Sequence, residues 1–230
     1  MKSIPRRHRN NKPNHDYKEI IMKIIFSNLP MKKQLNQFRY TVEGNSNIEY
    51  DGEVIFPINS VLARVLKKGE SVKVVLLKKQ DIEGNSDINA GEFMRELNQI
   101  NRKIGAEIEY KMLDLPFVET KDTHEQALRK MVDELVENAE IFCDITYGPK
   151  PLPIVVFSVL NFAEKFYHCK IENIVYGKVD FVTREDGTTY PCNPVLFDVT
   201  PLYYLNAFTN TIECKSAEEA NQMLHSLLDF

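Results

Sequence analysis

Residues 141–162 read IFCDITYGPKPLPIVVFSVLNF. A polar segment, Asp144-Ile145-Thr146-Tyr147-Gly148-Pro149-Lys150, separates two apolar runs. The first run, EIFCDIT at 140–146, has the length and composition of a buried strand. The second, from Pro151 to Tyr167, predicts a helix. Its apolar residues (Leu152, Ile154, Val155, Val156, Phe157, Val159, Leu160, Phe162, Ala163 and Phe166) run nearly all round it. Such a helix is expected to be buried on all sides, one of them as a subunit interface. A strand feeding a helix through a short polar loop is the unit of α/β sheets. Ligands of open parallel sheets bind at such loops, beyond the carboxyl ends of the strands.

The rest of the chain repeats this unit. Strands are predicted at 20–27, 71–79, 106–116, 171–181 and 195–200, the last two around a polar turn at Glu185-Asp186-Gly187. Helices are predicted at 57–69, 91–105, 122–139 (with Asp122 and Glu125 as a capping box), 200–212 (Thr200 as N-cap, Pro201 first) and 216–228. The stretch QFRYTVEGNSNIEYDGEVIF at 37–56 carries Gly and Asn between two β-rich arms and predicts a hairpin, a ribbon that would cover the cleft. The strands are continuous apolar runs, as expected where both sheet faces are covered. The expected fold is therefore α/β: a Rossmann-like, mostly parallel sheet with helices on both faces, a β-hairpin and a short C-terminal helix. Residues 1–19 read as a flexible basic tail, 20–213 as the domain and 214–230 as the C-terminal helix.

With 230 residues, 43% of them hydrophobic, the chain supports one sizeable core. A formal net charge of -4 does not call for a nucleic-acid or membrane partner. Arg6, Arg7 and Arg9 in the tail leave DNA or RNA contact open without indicating it. Cys143, Cys169, Cys192 and Cys214 form no CxxC pair and read as reduced thiols of a cytoplasmic protein. No apolar run reaches membrane-span length. His168-Cys169 lacks a third ligand at metal-binding spacing, so neither metal nor cofactor is expected.

Two strand ends carry polar loops: Ser27-Asn28-Leu29-Pro30 and the 144–150 segment. Neither is GxGxxG, and GxxxxGK[ST] does not occur, so a dinucleotide or P-loop site is not expected. In the second loop Gly148 permits close backbone approach, and the following helix presents a positive dipole end. Pro149, Pro151 and Pro153 remove three amide donors, so Lys150 would supply charge and Thr146 a hydroxyl. Two readings stay open on the residues alone. Either the loop contacts a ligand, or Asp144 and Thr146 cap a turn and Lys150 is solvated. On an interface helix, the loop would face its twin across a two-fold axis.

DITYGPKPLPIVVFSVLNFAEK resembles the Asp-x-Thr-His-Gly segment of CRISPR-associated Rossmann-fold (CARF) proteins, in which a basic residue and Leu-Pro open the next helix. IENIVYGKVDF, VLFDVTPLYYLNAF and MKIIFSNLP resemble, respectively, the family's next strand with its Tyr-Gly turn, its Asp-Leu-Thr-Pro segment and its first strand and loop. The resemblance spans about residues 22–213. It departs at Tyr147, where the family has His. The resemblance implies a homodimer that binds a cyclic oligoadenylate second messenger of type III CRISPR antiviral defence, tetra- or hexa-adenylate, between its two domains. By position it implies ligand contacts from Ser27, Asn28, Thr146, Tyr147, Gly148 and Lys150, with Tyr176 and Gly177 in a second tier and Asp144 bracing the loop.

Residues 214–230 are too few for an added nuclease domain. Two function classes follow from the resemblance. One is a stand-alone, metal-independent ring nuclease, in which a ribose 2′-hydroxyl attacks the adjacent phosphate, Lys150 stabilises the charge and Thr146 orients the ring. With His absent at position 147, turnover is expected to be slow. The other is a non-catalytic cyclic-oligoadenylate sensor that regulates a partner protein or DNA. A generic nucleotide-binding enzyme is disfavoured by the missing glycine fingerprint.

Overall fold

The computed structural model describes residues 21–81 and 83–228; the basic-tail reading for 1–19 lies outside them. The chain forms a seven-stranded sheet in the order β2-β7-β6-β5-β1-β3-β4. Its strands are β1 (Lys23–Asn28), β2 (Thr41–Glu43), β3 (Ser71–Lys79), β4 (Glu107–Leu115), β5 (Glu140–Asp144), β6 (Lys170–Thr183) and β7 (Thr189–Asp198). The helices are α1 (Pro57–Val65), α2 (Asn85–Ile104), α3 (Lys121–Val132), α4 (Leu152–Tyr167), α5 (Thr200–Thr211) and α6 (Ala217–Leu228). The pairs β1–β3, β3–β4, β1–β5 and β5–β6 are parallel, and β6–β7 is antiparallel. This is the mostly parallel, Rossmann-like α/β fold that the alternating pattern predicts.

Side-chain alternation along the strands divides the core in two. Ile24, Phe26, Ile141 and Cys143 face α3, α4 and Tyr203 of α5, whereas Ile25, Phe142, Val74 and Leu76 face α1 and α2. The chain leaves β1 for β3 and β4, with α1 and α2 on one face. It then returns through α3 to β5, and α4 leads on to β6 on the other face. The order therefore reverses between β1 and β5, and a crevice opens where the loops leaving these strands diverge.

Several predicted elements are corrected. The expected hairpin at 37–56 is not a ribbon. Only Phe38 and Val54 bridge antiparallel, β2 pairs parallel with β7, and a 3-10 turn spans Ser46–Ile48. Burial of Tyr40, Ile48, Val54 and Phe56 outweighs the Gly/Asn turn signal. Ser27 and Asn28 are buried strand residues, not a loop. Helix α2 begins six residues before the predicted Gly91, because polar Asn85, Ser86 and Asn89 are buried by bonding backbone carbonyls. Helix α3 is capped by Thr120 with Thr123 and ends at Val132. Strand β7 starts at Thr189 despite Pro191 and Pro194. Within one chain helix α4 leaves one side uncovered, with Ile154 71% and Phe166 56% exposed and Phe162 between them; the expectation gave one side to a subunit interface.

Helix α1 has no side-chain cap of its own. The buried Glu96 carboxylate of α2 accepts from Ile55 N at 2.6 Å, Phe56 N at 3.2 Å and Asn59 Nδ2 at 2.8 Å. It thereby holds the two amides that lead into the helix and the side chain of its third residue. Burial raises its pKa despite these bonds. Glu96→Ala is expected to cost about 2–4 kcal/mol through the stranded donors, and Glu96→Gln about 1 kcal/mol. Urea unfolding measures both, and a loss below about 0.5 kcal/mol for the alanine variant would remove Glu96 as the clasp of α1.

Candidate functional site

The crevice between the ends of β1 and β5 holds a cavity of about 690 Å³, within the usual range of small-molecule sites, roughly 300–1,000 Å³. Three segments wall it: residues 29–32 and 34–36 after β1, Thr146, Tyr147, Gly148 and Pro149 after β5, and Tyr176 to Val179 with Phe181 on β6. Phe38 and Tyr40 close it from the segment before β2, so this stretch lines the site although it forms no ribbon.

The loop after β5 is shaped by its own acid. Asp144, 1% exposed, accepts the Thr146 amide at 2.8 Å through Oδ1, turning the chain out of the strand. Thr146 Oγ1 accepts the Gly177 amide at 2.7 Å and ties the turn to β6. Gly177 has no room for a side chain, since an added Cβ would lie 2.5 Å from Pro57 Cγ. Gly148 has φ +102°, a conformation that favours glycine, and lies over Asn28, whose Nδ2 would be 3.4 Å from an added Cβ. Tyr147 packs edge-on against Phe56 and donates to Ile55 O at 3.3 Å. Burial, with Tyr40, Asp144 and Glu96 nearby, pushes its phenol well up. Burial, with Asp144 and Glu96, does the same for Tyr40.

An Asp-x-Thr turn also ends β7. Asp198 Oδ1 accepts the Thr200 amide at 3.1 Å, and Thr200 Oγ1 accepts Ile174 N at 2.8 Å, again an amide of β6. The two turns differ in what they leave over. Asp198 Oδ2 is satisfied by Asn45 and Asn173. Around Asp144, by contrast, Asp144 Oδ2, Ser27 Oγ, both amide atoms of Asn28 and Asn59 Oδ1 are buried without a partner. These are all the buried side-chain polar atoms without a partner among the described residues, and they lie at the ends of β1 and β5 and in the first turn of α1. Such atoms are rare in folded proteins, and their concentration at one place nominates it as the candidate site.

Of the residues singled out in the sequence, Thr146, Tyr147, Gly148, Tyr176 and Gly177 line the cavity. Ser27 and Asn28, each 1% exposed, lie at the buried end of β1, immediately before the cavity-lining Leu29. Lys150 is exposed, does not line the cavity, and has no ion pair among the described residues. Sequence reasoning did not single out Lys32 and Gln34, which follow the first loop in a segment with no motif, nor Tyr40 and Lys178, which lie within stretches read for their turn signals. Among the described residues no cluster of three or more His, Cys, Asp or Glu is placed to hold a metal ion, and no helix is long and apolar enough to cross a membrane. All four cysteines are free. No family model matches the chain, and no curated protein matches it.

Desolvation raises Asp144 from its ordinary 3.8 to about 6, and the nearby Thr146 hydroxyl and amide, with the Ile58 amide, offset only part of this. Between those values the folded state holds a proton that the unfolded state has lost. Unfolding free energy therefore falls as pH rises from about 4 to about 6, by about 3 kcal/mol. Asp144→Asn keeps an acceptor for the Thr146 amide and removes this titration. Its stability relative to the native chain is expected to improve by about that amount between pH 4 and 7, read by denaturant unfolding. A pH-independent difference would mean that Asp144 is ordinary.

Proposed function

We propose that the crevice binds part of a cyclic oligoadenylate and that a second copy of the chain, related by a two-fold axis, binds the rest. The observation that carries this reading is the convergence at the β1/β5 switch point of the unpartnered polar cluster, the Thr146-Tyr147-Gly148 loop and a cavity with aromatic walls. Tyr40, Tyr147, Tyr176 and Phe181 offer faces and edges to bases. Lys32 offers charge to a phosphodiester, whereas Lys178 shares its charge with Asp180. The cavity suits part of a ring better than a ring of four or six nucleotides. The exposed apolar stripe of α4, with Ile154, Phe162 and Phe166 at multiples of four residues, is suited to the helix-to-helix contact of such a dimer. The motif resemblance to CARF proteins supplies the ligand class and, with it, a cytoplasmic role in antiviral defence.

One observation favours a sensor over a fast ring nuclease. The Tyr40 and Tyr147 phenols that line the cavity are pushed up and stay protonated near neutral pH, while Asp144, raised to about 6, is buried and, like Lys150, does not line the cavity. Cleavage, where it occurs, would rest on holding the ribose 2′-hydroxyl in line and on charge stabilisation by Lys150 and Thr146.

Incubation with cyclic tetra- and hexa-adenylate in the presence of chelator, followed by chromatography, tests the reading. Binding of one ring at micromolar concentration, with little linear product, is expected. Thr146→Val should weaken binding about tenfold, since it releases the loop from Gly177. Rapid product formation that disappears in Lys150→Ala would make the protein a ring nuclease. Failure of either ring to bind would end the cyclic-oligoadenylate reading.

A further inference from the structure

The segment that follows β1 is held in an unusual way. Asn89, 3% exposed on α2, donates through Nδ2 to Pro30 O at 2.7 Å and Lys32 O at 3.0 Å. Asn85, one turn earlier, donates to Met31 O at 3.2 Å. Three consecutive carbonyls are thus taken by two side chains of one helix. In a trans peptide the N–H points opposite to its C=O. Carbonyls 30, 31 and 32 turned toward α2 therefore turn the amides of Met31, Lys32 and Lys33 away from it. None of the amides of residues 31–36 donates to another described residue. Met31 and Lys32 line the cavity, and Lys32 has no ion pair among the described residues. The other cavity lysine, Lys178, is paired with Asp180 at 2.9 Å.

From this geometry we infer that Lys32, with the amides of Met31, Lys32 and Lys33, forms a phosphate subsite of the crevice, and that Asn85 and Asn89 are its positioning residues. Adjacent amides turned to one side, beside an unpaired ammonium, suit a phosphodiester or phosphate oxygen. The clamp fixes the backbone before the ligand arrives, so little ordering remains to oppose binding. The subsite lies on the opposite side of the switch point from Thr146 and Gly148, so a nucleotide held by both would span the crevice. That last feature rests on the reading above, whereas the phosphate subsite does not.

Titration calorimetry of the full chain with cyclic tetra-adenylate and, separately, with ADP tests the inference at several salt concentrations. Lys32→Ala should weaken whichever probe binds about tenfold and reduce the salt dependence of log Kd by roughly one-half to one. Lys103→Ala, in the exposed last turn of α2 and off the cavity, should change neither. Asn89→Asp, which turns a donor into a repelled acceptor, should weaken binding in the native background and by a smaller factor in the Lys32→Ala background, where only the amides are left to position. Native binding of the ring with an unaltered affinity and slope in Lys32→Ala would overturn the subsite and leave the ring reading standing. Binding of ADP alone, sensitive to Lys32, would retain the subsite and discard the ring. If neither probe binds, both fall. Additive losses in the double variant would remove Asn89 as a positioning residue.

Discussion

The Asp144 carboxylate is the constraint on which the rest of the site depends. It sits at the end of a central parallel strand, enclosed by protein, and accepts the amide that begins the next loop. An ionised carboxylate in that setting is costly unless fully bonded, and one of its oxygens has no partner. The fold tolerates this cost at the place where the strand order reverses. Everything that lines the crevice is referred to this point. Thr146 leaves it for β6, Gly148 passes over Asn28, and Ser27 pairs in register with Asp144 across β1 and β5.

The two Asp-x-Thr turns show how one local motif takes two roles. Both grip β6 by an amide, Gly177 from one side and Ile174 from the other. The turn after β7 completes its hydrogen bonds with two asparagines and contributes stability. The turn after β5 is left incomplete and faces a cavity. Local sequence does not distinguish them, because the difference lies in partners supplied by distant elements.

The alternation of apolar strands and periodic helices made the sheet and both helical layers legible in the sequence. The 144–150 loop was legible as a strand-to-helix junction, and its Thr146, Tyr147 and Gly148 do line the crevice. Charge placement was not legible. Lys150 stood inside the motif yet lies off the cavity, whereas Lys32 stands outside every motif and lines the cavity from a segment held by the clamp from α2. That clamp needs Asn85 and Asn89 buried, and buried asparagines in a first helical turn read from sequence as a loop. The 37–56 segment failed for a related reason: its aromatics serve the core and the cavity wall, and its one short strand pairs with β7 rather than with the segment's other arm.

The central claim is that the switch-point crevice, rather than another surface, takes the cyclic oligoadenylate. Amide hydrogen exchange with and without cyclic tetra-adenylate tests it most directly. The account predicts new protection in residues 29–36, 146–149 and 176–181, with the outer strands β3 and β4 unchanged. Protection confined to other segments, or none at saturating ligand, would contradict it.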